Sequence, residues 1–125
     1  MIPADLIERA DRAIASAGLL LKSGDANGAC NRAYYAMFDA ARAALLMTTE
    51  PPASETIKTH SGLISAFSLN LVKTGMMTPE LGKSFSKVSE IRQAADYSDE
   101  DVTPERASWA VEQAQSFVEA IKQLA

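Results

Sequence analysis

An arginine and an aspartate stand four residues apart, with a tyrosine following, in Glu90-Ile91-Arg92-Gln93-Ala94-Ala95-Asp96-Tyr97. Arg92 and Asp96, four residues apart, share one face of any helix through this segment, and the plainest reading is an ion pair of about 0.3–0.5 kcal/mol. The functional alternative is a phosphate site in which Asp96 orients the Arg92 guanidinium, whose planar fork of donors suits phosphate oxygens, with Tyr97 at the helix exit. A second group is Lys58-Thr59-His60-Ser61-Gly62. Exposed backbone N–H groups at a helix entry, a hydroxyl on Thr59 or Ser61 and the Lys58 cation together favour an anion there. His60 is the single histidine of the chain. Its ordinary pKa near neutrality makes it the natural candidate for proton transfer, against the plainer role of a structural hydrogen-bonder. The third group is Arg32, Tyr35, Asp39 and Arg42, three to four residues apart on one stripe. Two arginines beside a phenol could grip a phosphate; the alternative is a solvated face with an Arg–Asp pair.

These residues need rigid elements to hold them, and the pattern of the chain predicts helices alone. Apolar and small residues recur at helical spacing nearly everywhere, and no stretch alternates β-branched and aromatic residues as a strand would. The first helix is expected from about Ala4 to Lys22, after Pro3 and before Ser23-Gly24. Asp25 can cap a second, extending to about Thr48, on which Tyr34, Met37, Phe38, Ala41 and Leu45 form a stripe read as core packing. Thr48-Thr49-Glu50-Pro51-Pro52-Ala53-Ser54 breaks it. A third helix begins near Thr59 or Ser61 and ends at Thr74-Gly75. Thr78-Pro79-Glu80 and Thr103-Pro104-Glu105 then signal the starts of the fourth and fifth. Short links between such helices imply antiparallel neighbours, so the expected fold is all-α: a single domain over residues 1–125, an up-and-down bundle of about five helices.

Composition narrows the partners. The chain has 125 residues, 47% of them hydrophobic, and a formal net charge of −4. Residues 1–95 net +1 and residues 96–125 net −5, so the acidity belongs to the last segment. A broad basic surface for nucleic acid and a polybasic membrane anchor are both excluded, while a confined phosphate site is not. Cys30 is the only cysteine, and with His60 it makes no zinc-type ligand set. No metal site and no cofactor are expected. The N-terminus lacks the pattern of a signal peptide, and no apolar stretch approaches the roughly 20 residues that cross a bilayer. A cytoplasmic protein is expected.

Three segments in order, Asn31-Arg32-Ala33-Tyr34-Tyr35-Ala36-Met37-Phe38 with Ala40-Ala41-Arg42-Ala43, then Lys58-Thr59-His60-Ser61-Gly62-Leu63-Ile64, then Arg92-Gln93-Ala94-Ala95-Asp96-Tyr97, resemble the HEPN superfamily, in particular its compact prokaryotic branch with an Arg-x-x-Ala-Asp-Tyr signature. The resemblance implies a helical bundle, usually dimeric, with its ligand groove at or near the dimer interface. It implies a minimal nucleotidyltransferase as partner and a place in a toxin–antitoxin or defence module. Active members are metal-independent RNases whose motif is an arginine followed after four to six residues by a histidine. The arginine stabilises phosphate charge and the histidine moves protons to or from the attacking 2′-OH.

Arg92 matches the motif arginine, but Asp96, Tyr97 and Ser98 stand where the histidine would be. Tyrosine, with an ordinary pKa near 10, is a poor proton shuttle at neutral pH. The leading expectation is therefore a homodimeric protein that binds nucleotide or RNA phosphate and acts with a nucleotidyltransferase. Arg92 would hold the phosphate, Asp96 orient it and Tyr97 line the groove or accept a nucleotidyl group; Arg32, Tyr35, Lys58 and His60 are the secondary candidates. The first rival is an RNase in which His60 supplies the missing proton transfer. The second is a structural interaction module whose polar residues fix helix packing.

Overall fold

The computed structural model describes residues 2–48, 59–98 and 100–124. Among these residues all regular structure is helical: α1 Pro3–Lys22, α2 Ala26–Thr48, α3 His60–Phe67, α4 Pro79–Tyr97 and α5 Pro104–Lys122. The expected all-α bundle is thus observed. The chain break expected at residues 49–54 and the side chain of Lys58 lie outside the described residues.

The helix starts follow from their first residues. Thr59, Thr78 and Thr103 each turn a hydroxyl back to accept a backbone N–H three residues on, from Gly62, Leu81 and Arg106 respectively. Pro79 and Pro104 occupy the first helical position, where the missing N–H has no intrahelical acceptor to lose. The Asp25 carboxylate accepts the Gly28 N–H at 2.8 Å, as its place before α2 predicts. Such caps contribute typically about 1 kcal/mol each. Position 28 accepts no larger residue without movement, because a Cβ there would collide with the Asp25 carboxylate that makes the cap. Gly24, at φ +89°, takes the left-handed turn that stops α1.

α3 widens at its end into a π-helical stretch, Ser68–Val72, where the Lys73 N–H reaches back five residues to the Ser68 carbonyl at 2.9 Å. The Thr74-Gly75 turn follows, and Gly75 takes φ +84°.

α2 is the hub of the bundle and meets every other helix. It joins α1 through only three residues, Ser23 to Asp25, and packs along it extensively, which requires the two to run antiparallel. This side of the bundle is built from alanine: Ala10, Ala13 and Ala17 on α1, Ala29, Ala33, Ala36, Ala40 and Ala44 on α2, and Ala107, Ala110 and Ala114 on α5 are all buried. Small side chains let the helix backbones approach closely. Rings fill the other side. Phe67, Phe85 and Phe117, from α3, α4 and α5, have centroids 5.1–5.9 Å apart in tilted and edge-to-face pairs.

Asn27, at the start of α2, holds the connector between α4 and α5. Its side-chain carbonyl accepts the Val102 N–H at 2.7 Å and its amide donates to Asp101 at 3.0 Å. No helix among the described residues is long and apolar enough to cross a membrane.

Candidate functional site

Three helices meet at Tyr34. The tyrosine is fully buried on α2, yet its hydroxyl lies 2.7 Å from His60 Nδ1 at the first residue of α3. The two rings stack with 5.4 Å between centroids and 15° between planes. From α4, the Arg92 guanidinium sits over the Tyr34 ring at 4.6 Å and over the Tyr35 ring at 5.8 Å. Arg92 Nη1 donates to Asp96 Oδ2 at 2.9 Å, one helical turn on. Tyr35 and Phe38 complete the surround of His60, at 5.8 Å and 4.9 Å between ring centres. Tyr34 also stacks on Phe85 at 6.1 Å, so the site is continuous with the ring-filled core.

The local sequence accounts for this assembly. Tyr34, Tyr35 and Phe38 lie on one side of α2 because residues three and four apart share a helical face. His60 is fixed at the head of α3 by the Thr59 cap. Arg92, with its side chain only 13% exposed, is held on one side by rings and on the other by the partly exposed Asp96 carboxylate. A cation over aromatic faces gains about 0.5 kcal/mol when exposed and about 2 kcal/mol when desolvated, so this pairing outweighs an open helix ion pair. Arg92 Nε is buried with no hydrogen-bond acceptor among the described residues. Its cationic donors are thus incompletely used, which is uncommon for a buried polar group.

The electrostatics set the protonation states. Burial lowers the His60 pKa below its ordinary 6.5, and the neighbouring Arg92 charge lowers it further, so the ring is neutral at neutral pH. Its place at a helix N-terminus acts in the same direction. Burial pushes the Tyr34 phenol up to about 12, although Arg92 and a hydrogen bond from Ser89 oppose this. Tyr34 therefore keeps its proton. The Tyr34 hydroxyl and His60 Nδ1 share one hydrogen bond, which holds the imidazole in a fixed orientation against the phenol. Cys30, one turn before Tyr34, is buried, and its thiol is pushed up to about 11 by burial, with Arg92 opposing and Asp96 reinforcing the shift. It is an inert neighbour of the site.

A second group of charges lies across Tyr35. Asp39, only 6% exposed, is approached by Arg9 from α1 at 3.6 Å and by Arg42 from α2 at 3.9 Å. Burial raises its carboxyl pKa, while Arg9, Arg42 and Arg32 pull it down. Arg9, Arg12, Arg32, Tyr35 and Asp39 line a depression of about 370 Å³ between α1 and α2.

Of the residues singled out from sequence, His60, Tyr35, Arg92 and Asp96 are brought together. Arg32 lines the neighbouring depression, which Tyr35 also lines. Tyr97 ends α4 and is 88% exposed. Tyr34 was read as core, and it is core; that its hydroxyl also meets His60 depends on a contact 26 residues away. Arg9 and Arg12 had a signal in their i, i+3 spacing on the polar face of α1. Among the described residues no group of three or more His, Cys, Asp or Glu side chains could hold a metal ion.

A family model described as the HEPN domain matches residues 4–124, and the chain belongs to that family. It is similar to a "UPF0332 protein" of Thermotoga maritima, 34% identical over 117 residues that cover 93% of this chain and 85% of the relative. It is equally similar to a protein of Methanocaldococcus jannaschii with the name "Putative toxin MJ0605", 34% identical over 117 residues covering 94% and 84% of the two chains. A second protein of that organism, "Putative toxin MJ0142", is 29% identical over 118 residues covering 94% and 77%.

Proposed function

We propose that the protein is a toxin-like HEPN protein that binds the phosphate of a nucleotide or RNA at Arg92 and acts with a minimal nucleotidyltransferase partner. The observation that carries this reading is the Arg92 guanidinium itself: a largely buried cation, caged by Tyr34 and Tyr35, oriented by Asp96 and set beside a neutral imidazole. Arg92 supplies charge and planar donors, and the His60 ring is held in the same aromatic surround. The names of two relatives support the toxin-like part of the reading. The partner, the homodimer and the cytoplasmic setting rest on the family resemblance.

Tyr97 fits the role of acceptor for the partner's reaction, because its ring stands in solvent. The phenolic oxygen would attack the α-phosphorus of a nucleoside triphosphate. The bond to the β-phosphate breaks, diphosphate leaves, and a base of the partner takes the phenolic proton.

RNA binding tests the phosphate site. Replacing Arg92 by glutamine is expected to weaken binding about tenfold or more, the loss typical of a charged hydrogen-bonding group. Unchanged binding in a folded R92Q protein sinks the reading. Incubation with the nucleotidyltransferase and labelled nucleoside triphosphate tests Tyr97, and label that persists in Tyr97→Phe excludes it as the acceptor.

A second reading, an RNase that uses His60 for proton transfer, is favoured by the proximity of His60 to Arg92. A neutral imidazole can take a proton from a 2′-OH through its unprotonated nitrogen, and it must be protonated before it can give one to a leaving oxygen. Cleavage of RNA by the purified protein, lost in His60→Ala, would establish it; absence of cleavage removes it.

A further inference from the structure

The depression between α1 and α2 gathers positive charge on a chain whose formal net charge is −4. Three guanidinium groups, Arg9, Arg12 and Arg32, line it around the single Asp39 carboxylate, and Arg42 approaches that carboxylate from its own helix. Glu8 approaches Arg12 only at 3.9 Å, with both side chains more than two-thirds exposed, so this pair is weak and leaves Arg12 available to a ligand. The buried carboxylate anchors the wall of the depression, and the outer arginines set the character of its mouth.

Tyr35 joins this depression to the phosphate site. The same ring lines the arginine depression and lies under the Arg92 guanidinium at 5.8 Å. It is half-buried, braced edge-on by Tyr34 at 5.3 Å and by Phe38 at 6.1 Å. Charge, a braced aromatic surface and charge again is the arrangement by which proteins hold a single-stranded nucleic acid: cations take successive phosphates, and a ring takes the base or sugar between them.

We propose that the depression lined by Arg9, Arg12 and Arg32 is a second phosphate subsite, and that the ligand of this protein is a single-stranded RNA spanning Tyr35 from one subsite to the other, not a mononucleotide. The inference rests on the reading of Arg92 as a phosphate-binding residue. A mononucleotide reaches only one of the two subsites, whereas a strand reaches both. The strand must therefore bind more tightly and with a steeper dependence on salt.

The test compares adenosine monophosphate with a short uridine-rich RNA oligonucleotide, each titrated into the full-length protein over a range of salt. Arg12 is 71% exposed on its side chain, so Arg12→Gln and Arg12→Glu leave the fold intact. Losing one phosphate contact is expected to lower the salt slope for the oligonucleotide by about 0.7 and its affinity about fivefold, with charge reversal costing more. Affinity for adenosine monophosphate is expected to fall less than that for the oligonucleotide, because the monophosphate can still occupy the Arg92 subsite. Arg92→Gln weakens both ligands.

Oligonucleotide binding and slope unchanged in both Arg12 variants would overturn the second subsite and leave the Arg92 reading standing. Arg12 variants that lose oligonucleotide binding while Arg92→Gln loses nothing would overturn the Arg92 reading instead. Wild-type protein that binds neither ligand at low salt overturns both.

Discussion

The alanine seam of α1, α2 and α5 and the ring-built wall of α2, α3 and α4 belong to one bundle but solve different problems. In the seam, side chains such as Ala13, Ala33 and Ala110 are buried and carry no polar atom beyond the backbone. In the wall, Tyr34, Tyr35, Phe38 and His60 stand between the helices and hold polar atoms at depth. The seam makes the helices rigid through close approach. The wall uses bulk to keep a cation, an imidazole and a phenol at fixed separations, which close-packed backbones leave no room to do. Because α2 contributes one face to each, the scaffold and the chemistry share a helix.

Substitutions can break this division or sharpen it. Phe85 joins the core rings to Tyr34, and its replacement by alanine is expected to cost about 3–5 kcal/mol of unfolding free energy in denaturant titrations. Ala13→Leu, in the seam, is expected to cost about 1–3 kcal/mol by overpacking, while the folded fraction keeps its affinity for RNA. Equal loss of affinity in both variants would show that the two regions are not separable.

Tyr34→Phe removes one hydroxyl and leaves the ring. The stability loss should be about 1 kcal/mol, and RNA binding should weaken because His60 loses the bond that orients its ring. Binding that is untouched would reduce Tyr34 to packing.

His60 gives a signature in pH. Its pKa is lowered in the folded protein, so below its ordinary 6.5 the unfolded chain binds more protons than the native one. Stability should therefore fall as pH drops from that value through the lowered folded value, and be unaffected by this group at higher pH. In His60→Gln that part of the acid-side decline should vanish. Identical pH profiles for variant and wild type would mean that the ring is not desolvated. The smallest effect is expected at Cys30, where a buried, protonated thiol should resist iodoacetamide until the protein is unfolded.

How far the sequence foretold the molecule differs between the same two regions. Helix starts were legible to the residue wherever chemistry is local: Thr78-Pro79 and Thr103-Pro104 cap as their types require. The Arg92–Asp96 bond was legible as well, since it is an i, i+4 contact of one helix. Tyr34 was legible only as a core residue, because no periodicity tells which buried phenol will face which imidazole across helices. Arg9 was missed for the same reason: its partner Asp39 stands on another helix. Residues acting within a turn could be read; residues whose role is created by docking could not.

The clamp made by Asn27 sets when the molecule becomes whole. Its bond to the Val102 N–H closes a loop of 75 residues, whereas α1 and α2 can meet across three. Closure entropy rises with the length of chain enclosed, so the α1–α2 hairpin forms early and the clamp late. Arg92 lies inside the loop that the clamp closes. On a ribosome, a chain whose α1–α2 hairpin has already folded still lacks α4 and its arginine, so the cage around Arg92 can close only after both have emerged.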